Sequence, residues 1–287
     1  MRKVFATVAV YLSFLLPSTK AQEETKVSVV KNVAEGAFAY PSYSHKHSCY
    51  IAQQKKGAFL QLYSINSDQS VRQLTFDSAD HSHPRVSVSG DWVAYTKEVN
   101  GMRDIWLLNL ATTEQINLTN TANYSEAHPA WAMNDSLIVF NTNRFDSLQE
   151  ISAIRLHDGK IKRLTTNLEE DTYGSLSPDG KKLIYTKWLN EEKNPEIYLL
   201  HLDDTTETRL TDNAVRDIAP VWLSDSVISY TQNGSILIHH LSRNDQRRLT
   251  TADSSLLFVR GVPFGKSALL CERIKDNKLD GIAVLQF

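Results

Sequence analysis

The sequence predicts an all-β chain: a six-bladed β-propeller of four-stranded antiparallel blades, with the ring closed by the N-terminal strand. A recurring phrase is the first observation. It reads Gln73-Leu74-Thr75, Asn117-Leu118-Thr119, Arg163-Leu164-Thr165, Arg209-Leu210-Thr211 and Arg248-Leu249-Thr250, with threonine spacings of 44, 46, 46 and 39 residues. That period falls in and close to the range of four-stranded propeller blades. The second observation is the absence of sustained helical periodicity, against many short β-branched and aromatic runs. The third is turn chemistry: Asn100-Gly101, Asp158-Gly159, Asp179-Gly180 and Asn233-Gly234 punctuate the repeats as tight hairpins do.

Residues 22–26 are polar and read as loose, and 27–31 read as a strand. That strand stands where the Leu-Thr phrase would precede the first blade, and the last segment, from Thr251 onward, lacks a phrase of its own. The two gaps match, so the N-terminal strand supplies the missing outer strand of the last blade and hides an edge that would invite aggregation. Within each repeat the phrase leads into a polar loop that ends at Pro84, Pro129 or Pro220 in the second, third and fifth copies. Two residues on stands an apolar group, with Trp131 and Trp222 the large examples. A turn and a strand follow, at 92–96, 137–141, 183–187, 227–231 and 268–272, and then a third strand typified by Glu196-Ile197-Tyr198-Leu199-Leu200. Trp92, Trp106, Trp131 and Trp222 fall at repeat positions and are expected in the packing between blades, whereas Trp188 could be exposed.

The chain opens Met1-Arg2-Lys3, runs apolar over 4–16 and continues Pro17-Ser18-Thr19-Lys20-Ala21. This pattern reads as a signal peptide cleaved after Ala21, and the apolar run is too short to span a bilayer. The expected address is periplasmic or extracellular, with no membrane span. Cleavage would remove Arg2, Lys3 and Lys20 and no acid, leaving 28 basic against 33 acidic side chains, a net charge of −5. Such a balance gives no support for nucleic-acid binding. Residues 22–287 read as one domain, expected to be a monomer. Cys49 and Cys271 fall in neighbouring blades but about four residues out of register, roughly 13 Å along a strand, so two buried free thiols are expected rather than a disulfide.

The run Ser177-Pro178-Asp179-Gly180-Lys181-Lys182-Leu183-Ile184-Tyr185, followed by Glu196-Ile197-Tyr198-Leu199-Leu200 and Arg209-Leu210-Thr211, resembles the WD-repeat-like blade of the TolB family. The resemblance extends over nearly all of the expected mature chain as six degenerate copies. It implies a periplasmic propeller that binds other envelope proteins. TolB carries an additional N-terminal α/β domain, for which no room is expected here between Ala21 and the first blade. Related propellers occur beside serine peptidase domains of the prolyl oligopeptidase type, and oligogalacturonate lyases, also propellers, use histidines around a metal.

By register, the loops before each Pro-equivalent position are expected at one mouth of the central channel. They bring His83 and His128 to the same place in adjacent blades. His81, Glu126, Asp171 and Asp217 all stand three residues before the Pro-equivalent position. Tyr40, Tyr173 and Phe258 are expected in the same loops, there to plug the channel or to stack on a ligand. The candidate ligand- or partner-binding set is therefore His81, His83, Glu126, His128, Asp171, Tyr173 and Asp217, with no catalytic assignment. Imidazole with carboxylate suits zinc or another divalent metal, so a metal site is an open alternative to a cofactor-free one. The bland reading is that the acids accept loop N–H groups. Asp276-Asn277-Lys278-Leu279-Asp280-Gly281 looks like the start of a calcium loop but has Lys278 where a ligand is needed, and a hairpin turn is expected. Of His239 and His240, on one strand, at most one can face solvent. The expectation from sequence is a non-catalytic module that binds an envelope or extracellular protein; the alternative is a metal-dependent carbohydrate-active lyase or hydrolase.

Overall fold

The computed structural model describes residues 23–189, 194–265 and 267–287. The signal peptide expected over residues 1–21 lies outside them. The described residues contain 25 strands and no helix, so none of them forms a helix long and apolar enough to cross a membrane.

Six sheets succeed one another along the chain, and in blades 1 to 4 the strands are antiparallel with the first innermost and the last outermost. Blade 1 is Ala39–Ser44, Cys49–Lys56, Phe59–Asn66 and Val71–Gln73. Blades 2, 3 and 4 begin at the inner strands Asp80–Val86, Glu126–Ala132 and Glu170–Leu176, and blade 5 at Asp217–Ser224. In blade 6, Leu256–Pro263, Ala268–Lys275 and Lys278–Gln286 come from the C-terminal segment, and Ser28–Glu35 pairs with the last of these as the outer strand. The ring is closed by the N-terminal strand, as the missing phrase predicts. One difference emerges at residues 23–26. They are not loose but form a strand, Glu23–Lys26, parallel to Asp245–Thr250, giving blade 5 a fifth strand. Val27 anchors it, buried against Leu249 and donating its N–H to the Thr250 carbonyl.

The recurring phrase has a physical explanation. Its leucine N–H returns to the third strand, Leu164 to the Ile151 carbonyl and Leu210 to the Ile197 carbonyl. Its threonine hydroxyl accepts from the same strand: Leu62 N–H to Thr75, Ile105 to Thr119, Ile151 to Thr165 and Ile197 to Thr211, at 2.9–3.0 Å. The same hydroxyl can donate, from Thr119 to Asp104 and from Thr165 to Glu150. In blades 2, 3 and 4 the Asp/Glu-Ile pair of the third strand and the Leu-Thr phrase are thus two halves of one buried junction, which fixes the outer strand and starts the loop to the next blade.

Between blades the packing is apolar. Tyr95, Phe140, Tyr185 and Tyr230 on the second strands are almost fully buried. The Trp131 and Trp222 indoles donate to the Arg85 and Ser175 carbonyls of the preceding blades. Trp188 is half-buried, its indole bonded to Thr172. The cysteines are free, buried in different clusters, Cys49 between blades 1 and 2 and Cys271 between blades 5 and 6. Asp276 and Asn277, both at positive φ, form the hairpin turn expected there. His239 is buried and His240 half-buried.

Candidate functional site

Each inner strand carries a bulge at the same place. The ladder to the second strand skips two residues: Tyr40-Pro41, His83-Pro84, His128-Pro129, Tyr173-Gly174, Ala219-Pro220 and Arg260-Gly261. The first member of each pair has φ between 52° and 56°. Such left-handed backbone is strained for non-glycine residues, and at five of the six bulges the preceding blade holds it. The N–H of Tyr40 donates to Glu272, His83 to Gln53, His128 to Thr96, Ala219 to Thr186 and Arg260 to Thr231. Each acceptor stands on a second strand, opposite the residue that precedes its own blade's bulge. Blade 4 uses Gly174 because a Cβ there would meet Ile151 Cγ2 at 2.6 Å.

The bulges turn six side chains into the channel as a girdle. Ring centroids lie 4.2 Å apart for Tyr40 and His83, 4.3 Å for His83 and His128, and 4.1 Å for His128 and Tyr173. The Tyr40 and Tyr173 hydroxyls approach to 3.5 Å across the ring. Arg260 lies over the Tyr40 ring and forms a two-pronged ion pair with the buried carboxylate of Glu272. Burial among these neighbours pushes the His128 pKa down to about 4 and that of His83 well below its usual value, with the nearby arginines acting in the same direction. Both imidazoles are therefore neutral at pH 7. His128 Nδ1 lies 2.7 Å from the Asn141 side-chain oxygen.

Past the girdle, the channel holds a cavity of about 40 Å³, lined by His83, Arg85, His128, Tyr173 and the residues that follow the bulges of blades 3, 4 and 5. It has room for roughly three waters. A sugar ring does not fit.

The structure thus brings three of the candidate residues together, His83, His128 and Tyr173, and places the other four elsewhere. His81, Glu126, Asp171 and Asp217 lie on the inner strands rather than in loops, two residues before each bulge, and all four are fully buried. They bind their own blade's entry loop and strands. His81 bonds Asp77 at 2.5 Å, Glu126 takes Thr121, Thr142 and Arg144, Asp171 takes Asn167, and Asp217 takes Asn213. Burial raises the Asp171 pKa to about 7 and that of Asp217 to about 6, and raises that of Glu126 as well. Phe258 belongs with this buried set, packed in the core between blades 5 and 6; Arg260 takes the channel position instead. Sequence reasoning passed over Arg260 because glycine, not proline, follows it, and Arg85 because it lies beyond the Pro.

Among the described residues no group of three or more His, Cys, Asp or Glu side chains could hold a metal ion. Two imidazoles and two phenols flanked by Arg85 and Arg260 are a poor donor set for a divalent cation, since the guanidiniums repel it.

A second feature lies on the face that carries the Leu-Thr loops and the hairpins between second and third strands. Leu168 and Phe76 are 84% and 76% exposed there, and Val99, Met102, Tyr124 and Phe145 are also exposed. Arg144 lies over the Tyr124 ring and Arg163 over the Phe145 ring, at 5.4 and 5.3 Å. These groups form an arc over the loops of blades 2 to 4.

No family model matches the chain. A curated relative, the protein TolB homolog of Chlorobium luteolum, is 28% identical over 155 residues, which is 54% of this chain and 34% of the relative. The chain therefore spans about a third of that relative's length. TolB from Acinetobacter baumannii superposes with a TM-score of 0.54 at 15% identity, covering 87% of this chain and 54% of that one. An oligogalacturonate lyase in complex with manganese gives 0.56 at 11% identity, covering 93% and 97%. At such identities both likenesses concern the fold, and they do not choose between a binder and an enzyme. In sequence over about half its length and in fold over nearly all of it, the chain is TolB-like, a six-bladed propeller resembling that family.

Proposed function

We propose that this chain is an exported, non-catalytic propeller that binds another envelope or extracellular protein through the face bearing the Leu-Thr loops. The observation that carries the reading is the contrast between a channel girdled by its own side chains and an exposed arc of Leu, Phe, Tyr, Val and Met beside it, with the half-buried Arg144 and Arg163 stacked on its rings. Aromatic and arginine side chains set among apolar groups are the residue types that dominate protein interfaces. Solvent-facing apolar groups concentrated on one face mark interaction surfaces more often than chance exposure does. The sequence likeness to a TolB homolog supports the same reading, and the leader read at residues 1–21 supports export. No cofactor is needed for it.

The test is retention of a partner from the producing cell by the full chain and by three variants. Leu168→Asp and Phe76→Asp should each abolish retention of one discrete protein, while Val88→Asp, in a turn on the opposite face, should leave it unchanged. Equal retention by all three variants would refute the assignment of this face.

A further inference from the structure

We propose that the cavity beside the girdle is an anion site in which the Arg85 guanidinium receives a carboxylate, with His83, His128 and Tyr173 completing the polar wall. Arg85 is an outlier at its repeat position. Directly after the bulge, the other blades carry Ser42, Ala130, Ser175, Val221 and Val262. A guanidinium offers five donors, and here a single intramolecular bond, Nη1 to the Pro84 carbonyl at 3.1 Å, is formed to the described residues. Among those residues no carboxylate lies within 4 Å of it, in contrast to Arg144, Arg163, Arg260 and Arg273, which each pair with an acid.

The one acid at the girdle is already committed, because Glu272 accepts both prongs of Arg260 and the Tyr40 N–H. The imidazoles are neutral, so Arg85 is the uncompensated cation of the cavity, and Arg103 adds to the positive field around it. A charge withdrawn from bulk water favours a counter-ion, and a planar fork favours a planar, two-oxygen partner. The cavity of about 40 Å³ admits a carboxylate on a short stem and excludes a sugar ring. The assignment goes beyond the protein-binding reading and stands whether or not that reading holds.

The test uses the full chain, with sodium acetate titrated against sodium chloride at constant ionic strength and followed by calorimetry and thermal unfolding. Acetate should bind with a Kd on the order of 1 mM, as four heavy atoms allow, and should raise the Tm saturably beyond chloride. Arg85→Gln should weaken binding at least about tenfold. Ala219→Leu, which fills the cavity while leaving Arg85 in place, should abolish it, and so carries the test if Arg85→Gln does not fold. An acetate effect no larger than that of chloride, or an unchanged Kd in both variants, would overturn the proposal. Triglycine and its C-terminal amide separate the sources of the carboxylate. Tighter binding of the free acid than of acetate assigns a chain terminus, and exclusion of both peptides with acetate still bound assigns a small free acid.

Discussion

Replacing Thr165 by valine removes a hydroxyl at constant shape from the centre of the blade 3 junction. That hydroxyl accepts the Ile151 N–H at 2.9 Å and donates to Glu150 at 2.5 Å, and both Thr165 and Glu150 are buried. Leaving a buried N–H unmade costs about 1–3 kcal/mol, and a hydrogen bond to a charged group is worth about 1.5–3 kcal/mol. Glu150 keeps Arg163 and the Asn167 N–H, which softens the loss, so the expected cost is about 3 kcal/mol. With an unfolding entropy of roughly 0.6 kcal/mol/K for a chain of this size, the Tm should fall by about 5 °C.

The same substitution at Thr250 supplies the control. In blade 5 the acid's place on the third strand is taken by Ser235, which bonds Arg248 instead, and no hydrogen bond joins the half-buried Thr250 hydroxyl to a described residue. Thr250→Val should therefore stay within about 0.5 kcal/mol of the parent. Urea unfolding of the three proteins measures the difference. Equal costs for the two variants would refute the view that the phrase is retained for the junction with the acid.

Glu272→Gln should destabilise the chain by about 3 kcal/mol, because it breaks the ion pair with Arg260 while that guanidinium stays half-buried, at the seam where blade 6 holds the Tyr40 N–H; chemical denaturation reads it. Burial raises the Asp171 pKa to about 7 from an ordinary value near 3.8. A carboxyl raised in the folded state favours folding while protonated, so its contribution is full below about pH 4 and is lost as pH rises through about 7. Asp171→Asn should flatten that decline, gaining on the order of 3 kcal/mol relative to the parent between pH 4 and 8. His128 acts oppositely: its pKa of about 4 lies below the usual 6.5, so its contribution is present above pH 6.5 and lost as pH falls through 4. His128→Gln should remove that acid-side loss in the same titration. Ellman's reagent should find no reactive thiol in the native protein and two after denaturation, since Cys49 and Cys271 are free, buried and raised in pKa by that burial.

Most of the fold was legible because its determinants are local and repeated. Asn100-Gly101 and Asn233-Gly234 dictate hairpins by backbone conformation alone, and the Leu-Thr phrase records a junction made within one blade. The candidate site was legible only in part, because burial is a property of the ring rather than of the segment. His81, Glu126, Asp171 and Asp217 share a register with each other, but the bulge two residues later reverses the facing of the strand. They turn into the blade and His83, His128 and Tyr173 into the channel. Phe38 and Phe258, buried at the same register in blades 1 and 6, show the position for what it is. Nothing in one sequence distinguishes Arg85 from a solvated arginine until the neighbouring blades bring no acid to it.

The central claim is that the girdle is a plug of side chains in a binding protein rather than a metal-loaded reaction centre. Metal content of the purified full chain, measured by mass spectrometry beside a His83→Ala/His128→Ala variant, tests it most directly. The account predicts well under one equivalent of any divalent metal in both proteins, with folding retained. One equivalent in the parent that disappears in the variant would contradict it and make an acidic oligosaccharide the first substrate to try.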